Sequence, residues 1–600
     1  MEKARGDPAG GAEAGDADAA ARAEQSEDAR EAEFGDAVVG PARRPRQRRR
    51  RRLARLALRL SIAGGWFRQT GAAYAENMVA FASERNLSLW LLALLVGTAV
   101  GMAAVVFRLG IGAIQWVWFG EASEYVIDAI RAQPWWLVLL APTAGGLVVG
   151  LMNQYLLTGR RPGGVADVME AAARGGGRGL GLRNGLWSAL ATVVSLGSGA
   201  SAGREGPVIH LGAILAAVLC QTSRLPPQAT RIVLACGVAS AISASFNAPI
   251  AGVLFAHEVI LRHYALSAFV PIVIASVCGT VAGRIFIGDV AAFQIPDYAI
   301  GSYLEMPAFA LLGVVAAIVA ISFQFVLVLF DQTARVLIVP TWTRPVMGGL
   351  VVGLIGIQMP QILGVGYEAT DIALQGGFDL ETMVMLLVVK IFATAITLAS
   401  RFGGGIFSPA LYLGAMTGGA FGLVAAMAFP GLASDHGLYA ILGMGAVAAA
   451  LLGAPISTTV IVFELTGGYA LSIALLLSVS IATGLHLAVH GRSFFHYQLE
   501  TRGVVLAEGP HRYFLKTVMV SSFMTAMEGE ASLVDVSDSR KVRSNDTLET
   551  ALRIFNETGA DALAVVDPKE RQRVVGSVSH VQALRAYNRR LVETSVEEHR

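Results

Sequence analysis

The sequence predicts an all-α polytopic membrane protein whose helices are repeatedly broken, followed by a small α/β unit. Three observations carry this. Of the 600 residues, 54% are hydrophobic and only 15% are charged, with mean hydropathy +0.56, where a soluble domain has about 25% charged residues. Charge-free stretches run between Arg85 and Arg108 and over 132–159, 306–330, 436–463 and 465–491. Each exceeds the roughly 20 residues a helix needs to span a bilayer. Finally, the apolar sequence is interrupted by glycine- and proline-rich breaks: GSGASAGREGP, FNAPIAG, RFGGGIFSP and LGAPIS. Irregular backbone at membrane depth is tolerated only where it is buried in protein or lines a cavity. Transporters use such breaks to aim helix ends at an ion near the midplane.

Residues 1–40 are mostly Ala, Gly, Glu and Asp and predict disorder. The arginine block RRPRQRRRRRLARLALR at 43–59 completes a tail over 1–63. An arginine block can bind nucleic acid. Its place before the first spans favours positive-inside topology and anionic lipid instead, with a cytoplasmic N-terminus and no nucleic-acid partner. The polar N-terminus does not read as a cleavable signal peptide. Residues 64–86 read as an amphipathic lead-in to a membrane domain over 64–491, hydrophobic from about 87. Cys220, Cys236 and Cys278 lie inside apolar segments without paired Cys/His spacing, so they predict packing and no metal site.

Beyond 491 the composition turns polar. A linker over 492–515 precedes an α/β unit over 516–590 and a short tail, 591–600. That unit reads as a helix bearing Leu548, Leu552 and Phe555, a strand at 562–566, a charged turn, a strand at 574–578 and a last helix. Its simplest location is the cytoplasm, so the number of crossings is even.

The membrane block repeats itself. Pro207-Val208-Ile209-His210-Leu211-Gly212-Ala213 matches Pro409-Ala410-Leu411-Tyr412-Leu413-Gly414-Ala415, the prolines lying 202 residues apart. Asn247-Ala248-Pro249-Ile250 matches Gly453-Ala454-Pro455-Ile456 at an offset of 206, and a glutamate follows in each copy, Glu258 and Glu464. The order and spacing imply two homologous halves, about 87–290 and 300–490. Matching motifs alone leave open whether the halves are parallel or inverted.

Each glycine-rich break is a place for a helix to begin with its free N–H groups pointing outward. Those groups and the helix dipole attract anions. Pro207 and Pro409 suit a first turn, where a missing N–H costs nothing. Half-helices starting near 205 and 407, and a third from GGVADVMEAAA at 163–173, predict an anion pathway built of backbone dipoles. Glu205 then has a role: its carboxylate is a tethered anion that leaves the site when protonated. Intramembrane ionisable residues are functional by default. Arg204 supplies counter-charge or closes a structural pair. Glu464 fits a structural hydrogen-bond partner, and His210, at the repeat position of Tyr412, fits packing. No His-Glu-x-x-His run or paired aspartates mark an intramembrane enzyme. An anchor for a sensory tail would need no re-entrant backbone.

GREGP at 203–207, GGIFSP at 404–409, NAPIAGVLF at 247–255 and FELTGGY at 463–469 resemble the CLC family of chloride channels and chloride–proton antiporters. The 516–590 unit is similar to a single CBS module. The resemblance implies two inverted halves of tilted helices, a homodimer with one pore per subunit, chloride as the transported ion, no cofactor and residence in the cell membrane. It makes Glu205 the gating glutamate. It assigns anion binding to Gly163, Gly164, Val165, Arg204, Gly206, Gly405, Ile406, Phe407 and the hydroxyl of Tyr469.

The chain departs from that pattern in four places. PGGVA at 162–166 puts Gly163 where the family has a serine whose hydroxyl touches the ion, so nitrate or fluoride is an alternative to chloride. Val259 stands where antiporters carry an inward-facing glutamate, which leans the reading toward a channel or weak proton coupling. Proton exchange by a non-standard route remains the alternative, with His257 adjacent. Arg401 stands where glycine is common, raising local potential or snorkelling to an interface. In GSVSHVQAL, Gln582 replaces the aspartate that holds a ribose, which argues for a dimerisation or regulatory platform over a nucleotide sensor.

Overall fold

In a computed structural model of the chain, the described residues are 86–173, 179–223, 225–289, 298–466, 471–504, 518–527, 541–568 and 573–599, with isolated positions between them. The arginine block, the lead-in segment and Tyr469 lie outside the described residues.

The first half comprises α1 (Asn86–Phe119), a short α2 (Ile127–Ala132), α3 (Trp135–Tyr155), α4 (Val165–Ala173), α5 (Leu182–Gly197), α6 (Glu205–Thr222), α7 (Pro227–Phe246), α8 (Pro249–Phe255, continuing as a π-turn over Ala256–Leu261) and α9 (Leu266–Ile287). The second half repeats the order: α10 (Met306–Val336), α11 (Thr343–Gln358), α12 (Tyr367–Leu374), α13 (Leu380–Ala399), α14 (Phe407–Ala428), α15 (His436–Leu452), α16 (Pro455–Thr466) and α17 (Ser472–His490). Nine helices among the described residues are long and apolar enough to cross a membrane. The short members α4, α8 and α16 begin at glycine- or proline-rich breaks read from the sequence, and α12 is a further short helix of the second half.

Local sequence sets the breaks. Helix α7 ends in Asn247 at φ 58° and α15 ends in Gly453 at φ 67°. Asn and Gly are the residues that most readily take this left-handed conformation. Ala-Pro follows in both halves and starts α8 and α16 with proline in the first turn. The new N-termini are then capped across the repeat. Glu258 accepts from the Ile456 and Ser457 amides at 3.0 and 2.8 Å and from the Ser457 hydroxyl at 2.7 Å. Glu464 accepts from the Ile250 and Ala251 amides at 2.9 and 2.7 Å. Each half thus caps the other. This reciprocity is what a two-fold axis between the halves produces. Both glutamates have the structural role read for Glu464.

One core cluster draws on both halves. Helix α15 is buried from Gly437 to Leu452, as expected of a helix apolar on every face. Glycines allow close crossing at equivalent places. A Cβ on Gly212 would lie 2.6 Å from the Gly237 carbonyl oxygen, and one on Gly414 would strike that of Gly443. Small residues at helix contacts are the usual means of packing in lipid. Leu91, Trp116, Val281 and Phe325 are exposed on the outer helices and face where lipid would be.

After α18 (Phe494–Glu500) comes a four-stranded sheet in the order β1-β4-β3-β2, formed by β1 (Thr525–Ala526), β2 (Lys541–Arg543), β3 (Ala562–Val566) and β4 (Val574–Ser579). Strands β2 and β3 are parallel, joined by α19 (Leu548–Thr558), and β3 and β4 form an antiparallel pair. Helix α20 (His580–His599) follows. Val542, Leu548, Phe555, Val565 and Val578 form its core. The Gln582 side chain accepts from Ser579 N at 2.8 Å and donates to Thr525 Oγ1 at 2.8 Å, capping α20 from within the unit.

Candidate functional site

Helices α6 and α14 begin at the same point. Gly203 N donates to Gly405 O at 2.8 Å and Gly405 N donates to Gly203 O at 2.7 Å, an antiparallel bridge between the two glycine-rich turns. A side chain would be crowded there. A Cβ on Gly203 would lie 3.0 Å from Ser408 N, and one on Gly405 would lie 3.2 Å from Gly206 N. The two turns run antiparallel at the bridge, as inverted halves would have them.

Glu205 is the first residue of α6, and its side chain reaches the first turn of α14. Its Oε1 accepts from the Tyr367 hydroxyl at 2.6 Å and from the Ser408 hydroxyl at 2.6 Å, and Oε2 accepts from Ser408 N at 3.3 Å. The side chain is 0% exposed. A negative group thus sits on a helix N-terminus and two hydroxyls, the chemistry by which a free anion would be held.

Arg204 has partners beyond its neighbour. It pairs with Glu124, donates to Ser245 O at 3.1 Å, and its guanidinium lies 4.9 Å over the Tyr367 ring. Its Nε is 3.9 Å from the Glu205 carboxylate. Glu124 also holds Arg108 at 2.9 Å, so one carboxylate is shared by two arginines. Arg204 thus makes an ion pair with a partner 80 residues away and also stands beside the Glu205 carboxylate. A buried lysine supports the same region. Lys390 Nζ donates to Ile362 O at 3.0 Å and Gly364 O at 3.3 Å, fixing the loop that delivers Tyr367.

Two cavities flank this plug. The larger, about 430 Å³, is lined by Arg108, Glu124, Arg204, Arg284, Gly366 and Glu368 among others. The smaller, about 180 Å³, is lined by Gly163, Gly164, Val165, Gly206, Gly405, Ile406 and Phe407. Seven of the predicted anion-site residues therefore share one cavity, and Arg204 belongs to the other. Glu205 lines neither, although its neighbours 204 and 206 line one each.

The smaller cavity is basic. Arg161, Arg335, Arg401 and Arg502 face Asp167 and Asp331. Not every predicted amide is free there. Gly163 N donates to Ser188 Oγ at 2.8 Å and Gly164 N to Asp167 Oδ2 at 2.8 Å, while Asp167 also holds Arg161 and Arg502. Arg401 takes the glycine conformation, φ 68°, and reaches Asp331 at 3.5 Å within the cavity wall. Val259 is buried. His257 is buried beside it, Nδ1 against His263 O at 3.0 Å.

Tyr367, Ser408, Glu124 and Lys390 were not singled out from sequence. For Tyr367 a signal existed. It lies 202 residues after Val165, the offset of the GREGP/GGIFSP repeat, and each residue opens a short helix after glycine. Tyr367 is the second-half counterpart of the third predicted helix start.

Paired broken helices related by a two-fold, converging on a carboxylate sealed between two cavities, define a membrane transport protein. The chain belongs to the voltage gated chloride channel family, whose model matches residues 144–486. It is 34% identical over 392 residues to a putative chloride channel protein, ClcB-like, of Ralstonia nicotianae, covering 64% of this chain and 90% of that one. It is 29% identical over 429 residues to the H(+)/Cl(−) exchange transporter ClcA of Klebsiella pneumoniae, covering 68% of this chain and 88% of that one. Its fold is similar to that of a slow cyanobacterial Cl−/H+ antiporter, with TM-score 0.62 at 21% identity, over 69% of this chain and 97% of the other. A CLC-type fluoride/proton antiporter is also similar, with TM-score 0.56 at 21% identity, over 68% and 97%. The chain is a multi-pass membrane protein of a family of channels and exchangers, which need no cofactor.

Proposed function

We propose that this protein passes chloride or a related small anion through one pathway per subunit, and that Glu205 gates it. The observation that carries this is the placement of the Glu205 carboxylate: sealed from both cavities, on the N-terminus of α14, between an Arg204 that lines one cavity and a Gly206 that lines the other. As a carboxylate it occupies the site of the ion. Once protonated it is neutral, loses its attraction to the helix start, and opens a route between the cavities. The fourfold arginine lining of the smaller cavity raises local anion concentration at that mouth.

Among the modes, a channel or weakly proton-coupled carrier fits best, because Val259 offers no carboxylate for an internal proton step. In proteoliposomes with a chloride gradient, chloride should move without uphill proton movement in fixed ratio. A fixed ratio would establish exchange, as named for the Klebsiella pneumoniae relative. The proposal extends to a homodimer in the cell membrane with both termini cytoplasmic, and to the α/β unit as a regulatory or pairing module. Gln582, engaged in capping, is poorly placed to hold a ribose.

The Tyr367 and Ser408 hydroxyls latch the gate. A hydrogen bond to a charged group contributes about 1.5–3 kcal/mol. Deleting one favours the neutral, displaced side chain. Tyr367→Phe and Ser408→Ala should each raise flux above the wild-type level at a given pH. Unchanged pH profiles in both would remove the latch.

A further inference from the structure

Gly163 lines the smaller cavity at the start of α4, but its amide is taken by Ser188 and it has no side chain to offer an ion. The space for one is filled. A Cβ on Gly163 would collide with the imidazole of His210, at Cε1, Nε2 and Nδ1 alike. The ring therefore occupies the side-chain volume of position 163. His210 lies on α6, one turn after Gly206 and on the same helix face. A Cβ on Gly206 would lie 3.5 Å from Gly405 Cα and 3.9 Å from Val165 Cγ2. The three helix starts thus converge one turn from the ring. Asp167 before it on α4, Arg161 and Arg502 are the charged groups acting on it.

We infer that His210 supplies the side-chain N–H donor to the anion in the smaller cavity, replacing a ligand at position 163. This rests on the anion pathway proposed above. A neutral imidazole carries one N–H donor on a rigid ring. It can therefore do the work of a hydroxyl donor while setting a different size and shape for the ion. The repeat partner Tyr412 does not share this role. It packs beside Gly366 with Lys390 Nζ 5.0 Å from its ring centre. One half uses the position to bind and the other to pack.

Flux in proteoliposomes with chloride, bromide, nitrate and fluoride tests the inference. His210→Ala should change the nitrate-to-chloride ratio by about threefold or more, the scale of one neutral hydrogen bond. His210→Asn, which keeps an N–H, should lie nearer wild type. Gly163→Ser should clash with the ring and slow every anion. Gly163→Ser combined with His210→Ala should recover flux, with the hydroxyl as donor. If His210→Ala and His210→Asn both keep wild-type ratios, or the double variant stays as slow as Gly163→Ser, the inference is overturned. Wild-type protein that moves none of the four anions would instead refute the pathway itself.

Discussion

Glu205→Gln should make anion flux independent of pH. In the wild type, flux should rise as pH falls, because protonation removes the charge that holds the side chain on α14. Glutamine is neutral at every pH and nearly the same shape, so the variant should show the acid-level flux throughout. The change is large because the attraction being removed is charge-assisted at three donors, Tyr367 Oη, Ser408 Oγ and Ser408 N. Glu205→Ala should go further, with flux equal to or above that of glutamine, since the plug is removed as well as neutralised. Stopped-flow or electrode-recorded efflux at several pH values checks both. A glutamine variant that keeps the wild-type pH response removes Glu205 from gating.

The second large effect is on stability. Glu258→Ala leaves the Ile456 and Ser457 amides and the Ser457 hydroxyl without their acceptor, and Glu464→Ala does the same to the Ile250 and Ala251 amides. Unmaking charge-assisted bonds at a helix start costs about 2–5 kcal/mol in total. Each variant should unfold at clearly lower temperature in detergent. Glu258→Ala should lose more than Glu464→Ala, because it removes one more hydrogen bond. Glutamine at either position should recover part of the loss, keeping an acceptor without the charge. Thermal midpoints equal to wild type would mean that the crossed caps do not hold the halves together.

The sequence made the helix starts legible because each start has a chemical cause. Gly203 and Gly405 permit the close bridge, Pro207 and Pro409 lie in first turns, and Asn247 and Gly453 supply the left-handed ends. Offsets of 202 and 206 then joined the halves. What stayed hidden were partners chosen by tertiary approach. Glu124 meets Arg204 across 80 residues and Tyr367 meets Glu205 across 162, and no local pattern encodes either pairing. Lys390 is fully buried in an apolar helix with carbonyls for partners, so no complementary charge marked it. For His210 the repeat partner Tyr412 suggests packing, and the space at Gly163 that its ring fills is visible only in three dimensions.

The central claim is that the Glu205 carboxylate occupies an anion site at the start of α14. Anomalous scattering from bromide in crystals of Glu205→Ala tests it most directly. The expected result is a bromide peak within hydrogen-bonding reach of Ser408 N and the Tyr367 and Ser408 hydroxyls, where the carboxylate sits in the wild type. Bromide peaks elsewhere in the two cavities, with none at the start of α14, would contradict it.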